Sequence, residues 1–201
     1  LGQTLAHLAR LVDHQFGTNA VPKLARDVAL MKRLREEYLA EDGLAEAIAA
    51  EIGDRTPVIL SAMDIGSAAL RWKTQINENS KMVAFSGSVP EFNHNEVKAW
   101  VGGRYRESCV PVFLRAIEEP VQLEMMDSAI NTLRGLGIKP IVVDVKGPEP
   151  LDRILYASLL GDYVSIYLAE SRGVDPEEVS TIATLKENMA KDLRPDLKPV
   201  L

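Results

Sequence analysis

The chain is poor in the residues that announce most chemistries. Of its 201 residues one is cysteine, Cys109, and three are histidine. A lone cysteine excludes an intrachain disulfide and a cysteine metal cluster, and it fits a reducing, cytoplasmic setting. No apolar run approaches the ~20 residues of a membrane-spanning helix. The first residues lack the basic-then-apolar order of a secretory signal. Basic residues are outnumbered, 23 against 29 acidic, giving a net charge of −6. Without a basic stripe the composition argues against nucleic acid as the main partner. There is no internal repeat and no low-complexity segment. Leu1 stands where an initiator Met would, so the chain reads as an internal part of a longer one.

What is present is the make-up of a globular domain: 46% apolar and 26% charged residues, enough chain for one domain plus an extension. Residues 1–50 read as helical. Leu5, Leu8, Leu11 and Val12 repeat at helix spacing, and so do Leu24, Val28, Met31 and Leu34. Gly17 to Asn19 breaks the first helix, Pro22 opens the second, and Leu44 to Ile52 forms a third that stops at Gly53. His7 and His14 lie seven apart with no third ligand suggested, and they read as surface or interface histidines.

From residue 56 the pattern changes. Pro57 to Leu60, Met82 to Phe85, Val110 to Leu114 and Pro140 to Val145 are short apolar runs suited to buried parallel strands. Pro111 suggests an early or edge position for the third. Between them lie helices from near Ala68, from Pro120 to Leu136, and from Leu151 to Glu170. A last helix opens at Val174 to Pro176, with Glu177 and Glu178 in its first turn, and a fraying tail follows Lys186. Strand and helix in alternation predict an α/β domain with a parallel sheet. The expected division is a helical arm over 1–53, an α/β domain over 54–190 and a tail over 191–201.

Chemistry concentrates between Arg71 and Glu96. Ligands of an open parallel sheet sit off the carboxyl ends of the strands, which draws attention to Ser61 to Ser67, Ser86 to Glu96 and Asp144 to Pro150. The first of these has one Gly, and Asp64 would repel an anion, so it reads as a strand-to-helix turn. Trp72 and Ile76, four apart, face the core. By charge pattern Arg71, Gln75 and Glu78 form a solvated network. Against that, Gln75-Ile76-Asn77-Glu78-Asn79 places two poor helix formers around a carboxylate, which suits a helix end presenting specific hydrogen bonds. Pro90-Glu91-Phe92-Asn93-His94-Asn95-Glu96 reads either as a helix start capped by Asn93 or Asn95, or as an imidazole held by polar neighbours for proton transfer. A metal site at His94, Glu91 and Glu96 ranks last, for want of a further histidine.

The stretch Arg71-Trp72-Lys73-Thr74-Gln75-Ile76-Asn77-Glu78-Asn79-Ser80-Lys81, the stretch Pro90 to Glu96, and the later blocks Leu160 to Ala169 and Arg172 to Pro176 together resemble the bifunctional phosphoglucose/phosphomannose isomerases. Those enzymes belong to the sugar isomerase (SIS) domain group of the phosphoglucose isomerase superfamily, and the resemblance spans about residues 55 to 180. It implies a three-layer, parallel-sheet, flavodoxin-like SIS domain behind a helical arm, the second of two tandem subdomains. It implies an aldose–ketose isomerase of carbohydrate metabolism (glycolysis and gluconeogenesis), acting on a phosphorylated hexose through a cis-enediol with no cofactor and no metal. By resemblance Glu78 is the catalytic base, and His94 assists ring opening at the site of the other subunit of a homodimer, with Glu91 or Glu96 orienting its ring. Ser165 and Arg172 match a substrate-accommodating Thr and a ring-opening Lys of the family. Arg172 departs from that Lys, being a poor proton donor. The Gly-Gly-Ser turn and the Ser/Thr-rich loop with which the family grips phosphate do not occur here. The chain therefore reads as part of the enzyme or as a shortened relative, and a catalytically silent, phosphosugar- or protein-binding module is the alternative.

Overall fold

Interior strands of a parallel sheet are covered on both faces and so are apolar throughout. Two segments meet that demand, and they form the middle of the sheet. In the computed structural model, which describes residues 10, 13–15, 17, 20–39, 43–103, 106–116 and 120–192, β1 (Thr56–Ser61) and β3 (Cys109–Ala116) pair with each other. β2 (Phe85–Ser88) flanks β1 and β4 (Ile141–Val145) flanks β3, all parallel, in the order β2-β1-β3-β4.

The order reverses direction after β2. Right-handed crossovers then place the helices on opposite faces. One face carries α3 (Gly66–Ser80) and α7 (Pro150–Ser171). The other carries α4 (Val89–Glu91), a π turn (Phe92–Glu96), α5 (Val97–Val101) and α6 (Pro120–Gly135). The arm, α1 (Ala20–Tyr38) and α2 (Leu44–Ile52), lies against α7, and α8 (Ser180–Asp192) closes the described chain. This is the three-layer α/β architecture expected. α2 has the expected bounds, and Gly53 at φ 57 turns the chain out of it.

The core runs through the sheet. Ile59, Leu60, Val112, Phe113 and Leu114 are fully buried, with Trp72 and Ile76 of α3 on one side and Phe92 and Met126 on the other. The Phe92 and Phe113 rings meet edge to face at 5.9 Å. The Trp72 indole N–H donates to the Ala157 carbonyl of α7 at 2.6 Å. Gly161 lies directly under that indole, and a Cβ there would overlap the ring.

Five expectations need correction. Strand β2 starts at Phe85, where the Met82–Phe85 run was predicted to end; Met82 and Ala84 are buried but precede the ladder, because the chain is still leaving a left-handed residue, Lys81. Strand β3 is interior, so the edge alternative falls while the early position of Pro111 holds. Pro111 is tolerated as its third residue because the β4 ladder begins only at Val112. The buried stripe of α1 is Asp27, Leu34 and Tyr38, with Val28 half exposed, since Tyr38 packs edge-on against Tyr156 and Tyr163 of α7. The last helix begins at Ser180, after Glu177 and Glu178; the Glu178 carboxylate accepts the Ser180 amide at 2.6 Å and caps it from outside. Finally, Arg71 makes no network with Gln75 and Glu78. It pairs through two hydrogen bonds of 2.9 and 2.8 Å with Asp162 of α7. Leu5, Leu8, Leu11 and Val12 of the first expected helix and the whole of His7 lie outside the described residues, as does the tail from 193. His14 is exposed.

Candidate active site

Because β1 and β2 are parallel, α3 must return the chain from the carboxyl edge of the sheet to the amino edge. Its 15 residues cover about 22 Å at ~1.5 Å each. Glu78, in its last turn, therefore stands at the amino edge, away from the carboxyl-edge crevice where an open parallel sheet commonly binds ligands. The two asparagines beside it explain its presentation. Asn77 donates to the Met82 carbonyl at 2.7 Å, and Asn79 donates to the Ser165 hydroxyl at 2.8 Å. Ser80 adds a bond to the Ser165 carbonyl at 2.9 Å. The backbone on both sides of Glu78 is thus held inward while its carboxylate stays exposed. It borders a cleft of about 690 Å³ whose walls include Lys73, Asn77, Phe85, Thr181 and Ile182.

Ser165 is fully buried in α7, where its hydroxyl donates to the Asp162 carbonyl at 2.6 Å and receives Asn79. It braces the end of α3 from behind. Arg172 ends α7 at the same edge and donates to Asp54 at 2.8 Å. Neither borders the cleft.

His94 lies elsewhere. It follows β2 and so starts from the carboxyl edge. Its π turn is closed by the Val97 amide, which donates to the Phe92 carbonyl five residues back. Such turns often occur at functional positions. The imidazole is exposed and has no side-chain partner among the described residues. Asn93 donates to the Met125 carbonyl at 3.1 Å, and Asn95 donates to Glu91. Glu96 folds over Gly87 of β2, and burial, with Glu91 second, pushes its carboxyl above the usual range. Glu91 and Glu96 are thus both turned away from the imidazole they were expected to orient.

The other two carboxyl-edge loops are occupied by the protein itself. Met63 to Ile65 is a single tight turn, and Asp64 pairs with the buried Arg153 at 3.4 Å. Arg153 also donates to the Gly147 carbonyl at 3.1 Å. Sequence reasoning missed Lys81, which follows α3 at φ 55 and donates to the carbonyls of Glu78 at 2.8 Å and Glu178 at 3.0 Å. A lysine directly after four polar helix-end residues was the available signal. Thr181 and Ile182 had none, because only the tertiary return of α8 brings them to Glu78.

Comparison with known proteins bears on this arrangement. Residues 41–189 match the family model described as the bacterial phospho-glucose isomerase C-terminal SIS domain. A bifunctional phosphoglucose/phosphomannose isomerase of Aquifex aeolicus is 34% identical over 161 residues, 80% of this chain and 50% of the relative. One from Thermoplasma volcanium is 34% identical over 171 residues, 84% of this chain and 55% of the relative. The chain thus spans about half the length of the curated relatives it matches. A glucose-6-phosphate isomerase-like protein of Thermus thermophilus shares the fold, with a TM-score of 0.62 at 18% identity over 79% of this chain and 56% of that one.

Proposed function

This chain belongs to the bacterial phospho-glucose isomerase C-terminal SIS domain family, and from that premise we propose that it supplies the proton-transfer carboxylate of an aldose–ketose isomerase. The reaction interconverts glucose 6-phosphate and mannose 6-phosphate with fructose 6-phosphate in the cytoplasm. The observation that carries the reading is Glu78: an exposed carboxylate on the wall of a cleft, with its backbone pinned by Asn77 and Asn79.

In the open-chain aldose, Glu78 takes the proton from C2 while the C1 carbonyl becomes the enediolate oxygen. The C2 hydroxyl proton passes to that oxygen, and Glu78 returns its own proton to C1 as the C2 oxygen becomes the carbonyl. Proton transfer of this kind is worth ~10²–10⁴ in rate, and the isomerisation leaves no net redox change. Ser165 acts from behind by bracing Asn79. Arg172 supplies fixed positive charge at the same edge, in place of a proton-donating lysine. His94 serves ring opening in a second copy of the chain, consistent with its place in the crossover after β2 and with its freedom from local partners. The SIS domain occupies 54–190, with 1–53 as the arm and 191–201 as a tail.

The experiment is fructose 6-phosphate isomerisation by the full-length protein and by Glu78→Gln. Absence of turnover in the wild type, or full activity in the variant, overturns the assignment. A second reading is a silent phosphosugar-binding module, favoured by the lack of a Gly-Gly-Ser turn and a Ser/Thr-rich loop in this chain. Calorimetric binding of the sugar phosphate without turnover would establish that one instead.

A further inference from the structure

The last described helix is held in place in an unusual way. Every residue of α8 from Ser180 to Met189 is exposed. Its apolar side chains Ile182, Leu185 and Met189 are 42%, 59% and 44% accessible. Burial therefore does little to fix this helix, although its first turn supplies Thr181 and Ile182 to the wall of the Glu78 cleft. A polar tie occupies that junction. Lys81 is the one non-glycine residue with positive φ among the described residues, a conformation unfavourable for an L-residue. In return the backbone turns so that the Lys81 ammonium reaches the Glu78 carbonyl at 2.8 Å, the Glu178 carbonyl at 3.0 Å and the Pro176 carbonyl at 3.5 Å. One ammonium thus bridges the residue at the head of the cleft and the turn that launches α8. Glu178 in turn caps that helix through the Ser180 amide.

We propose that Lys81 is a positioning residue that latches α8 over the Glu78 cleft and so sets the shape of the sugar-phosphate site. The catalytic part of this inference rests on the Glu78 reading; the latch itself does not. Lys81 touches no reacting atom. It works through the Glu78 backbone and through the α8 wall, and because the tie is polar and exposed, it weakens in competition with water and salt. Loss of the ammonium leaves α8 with its own cap but without an anchor to α3.

The test uses Lys81→Gly, because glycine accepts φ 55 without strain, and Lys81→Arg, which keeps the cation, separates loss of the ammonium from the added freedom of glycine. Hydrogen exchange is followed along the full chain. The amides of 180–189 are expected to exchange about five- to tenfold faster in the glycine variant, as for loss of one or two hydrogen bonds. The amides of α7 are expected to stay as in the wild type. Lys81→Arg, which keeps a cationic donor, is expected to restore most of the protection. In the active protein Lys81→Gly raises KM for fructose 6-phosphate several-fold, with a smaller loss in kcat than Glu78→Gln causes. Equal exchange of 180–189 in wild type and Lys81→Gly, or an unchanged KM, overturns the proposal. If Glu78→Gln keeps full activity, the catalytic reading fails while the exchange data still decide the latch.

Discussion

The chain contains two near-identical triplets, Asn77-Glu78-Asn79 and Asn93-His94-Asn95, and the fold uses them in opposite ways. In the first, both asparagines turn into the domain, one to the Met82 carbonyl and one to the buried Ser165 hydroxyl. In the second, Asn93 reaches across to the Met125 carbonyl of α6, while Asn95 bonds Glu91 only four residues back. The Glu78 end of α3 is thus clamped to its own chain, and the His94 turn is fastened on one side. Under the proposed function the first arrangement belongs to the group that acts within its own chain, and the second to the group proposed to act in another copy.

The largest effect expected from breaking this comparison is catalytic. Glu78→Gln should lower kcat for fructose 6-phosphate isomerisation by ~10²–10⁴, while leaving the unfolding midpoint near the wild-type value, since the carboxylate is exposed. Next comes Gly161→Ala. Its new methyl overlaps the Trp72 indole, and such overpacking costs about 1–3 kcal/mol. Urea unfolding should show that loss, and chemical shifts should move at the clamped end of α3 more than at the π turn.

A smaller effect separates the triplets directly. Asn79→Ala removes a partner of the buried Ser165 hydroxyl and should cost about 1–2 kcal/mol. Asn95→Ala, on the exposed turn, should stay within about 0.5 kcal/mol. Equal losses would erase the distinction drawn between the two triplets. The smallest effect concerns Glu96, whose carboxyl is raised by burial and by Glu91. A carboxyl raised in the folded state favours folding while it is protonated, and that contribution is lost as pH rises through its folded value. Glu96→Gln should therefore raise the thermal midpoint slightly at neutral pH. The gain should vanish below the usual carboxylate range, where both forms are neutral.

Much of the layer architecture was legible because it follows from period and composition. β1, β3 and β4 are apolar runs, and α2, α6 and α7 end at glycines or begin at prolines. β2 was not legible, because its residues, Phe85-Ser86-Gly87-Ser88, carry no apolar run; pairing with β1 alone makes them a strand. The start of α8 was misplaced because Glu177 and Glu178 look like first-turn acids, while Glu178 acts as a cap just outside. Within the candidate site, Glu78 and His94 stood out through their triplets. Their separation followed from topology, which no local pattern encodes, and the α8 wall came from the tertiary return of the last helix.

The π turn has one more consequence, visible in the phase of the helix around it. In a regular α-helix each residue advances by about 100°, so Phe92 and Trp100, eight apart, would point roughly 80° from each other. Both are buried, because the π turn absorbs one residue and returns the spacing to nearly two whole turns. A chain one residue shorter between 93 and 95 would meet the core in the same phase. Helical phase alone therefore gives no reason for the extra residue, and deletion of Asn95, whose side chain bonds only Glu91, should leave the thermal midpoint near the wild-type value. The extra residue lies in the solvent-facing arc that carries the exposed imidazole of His94.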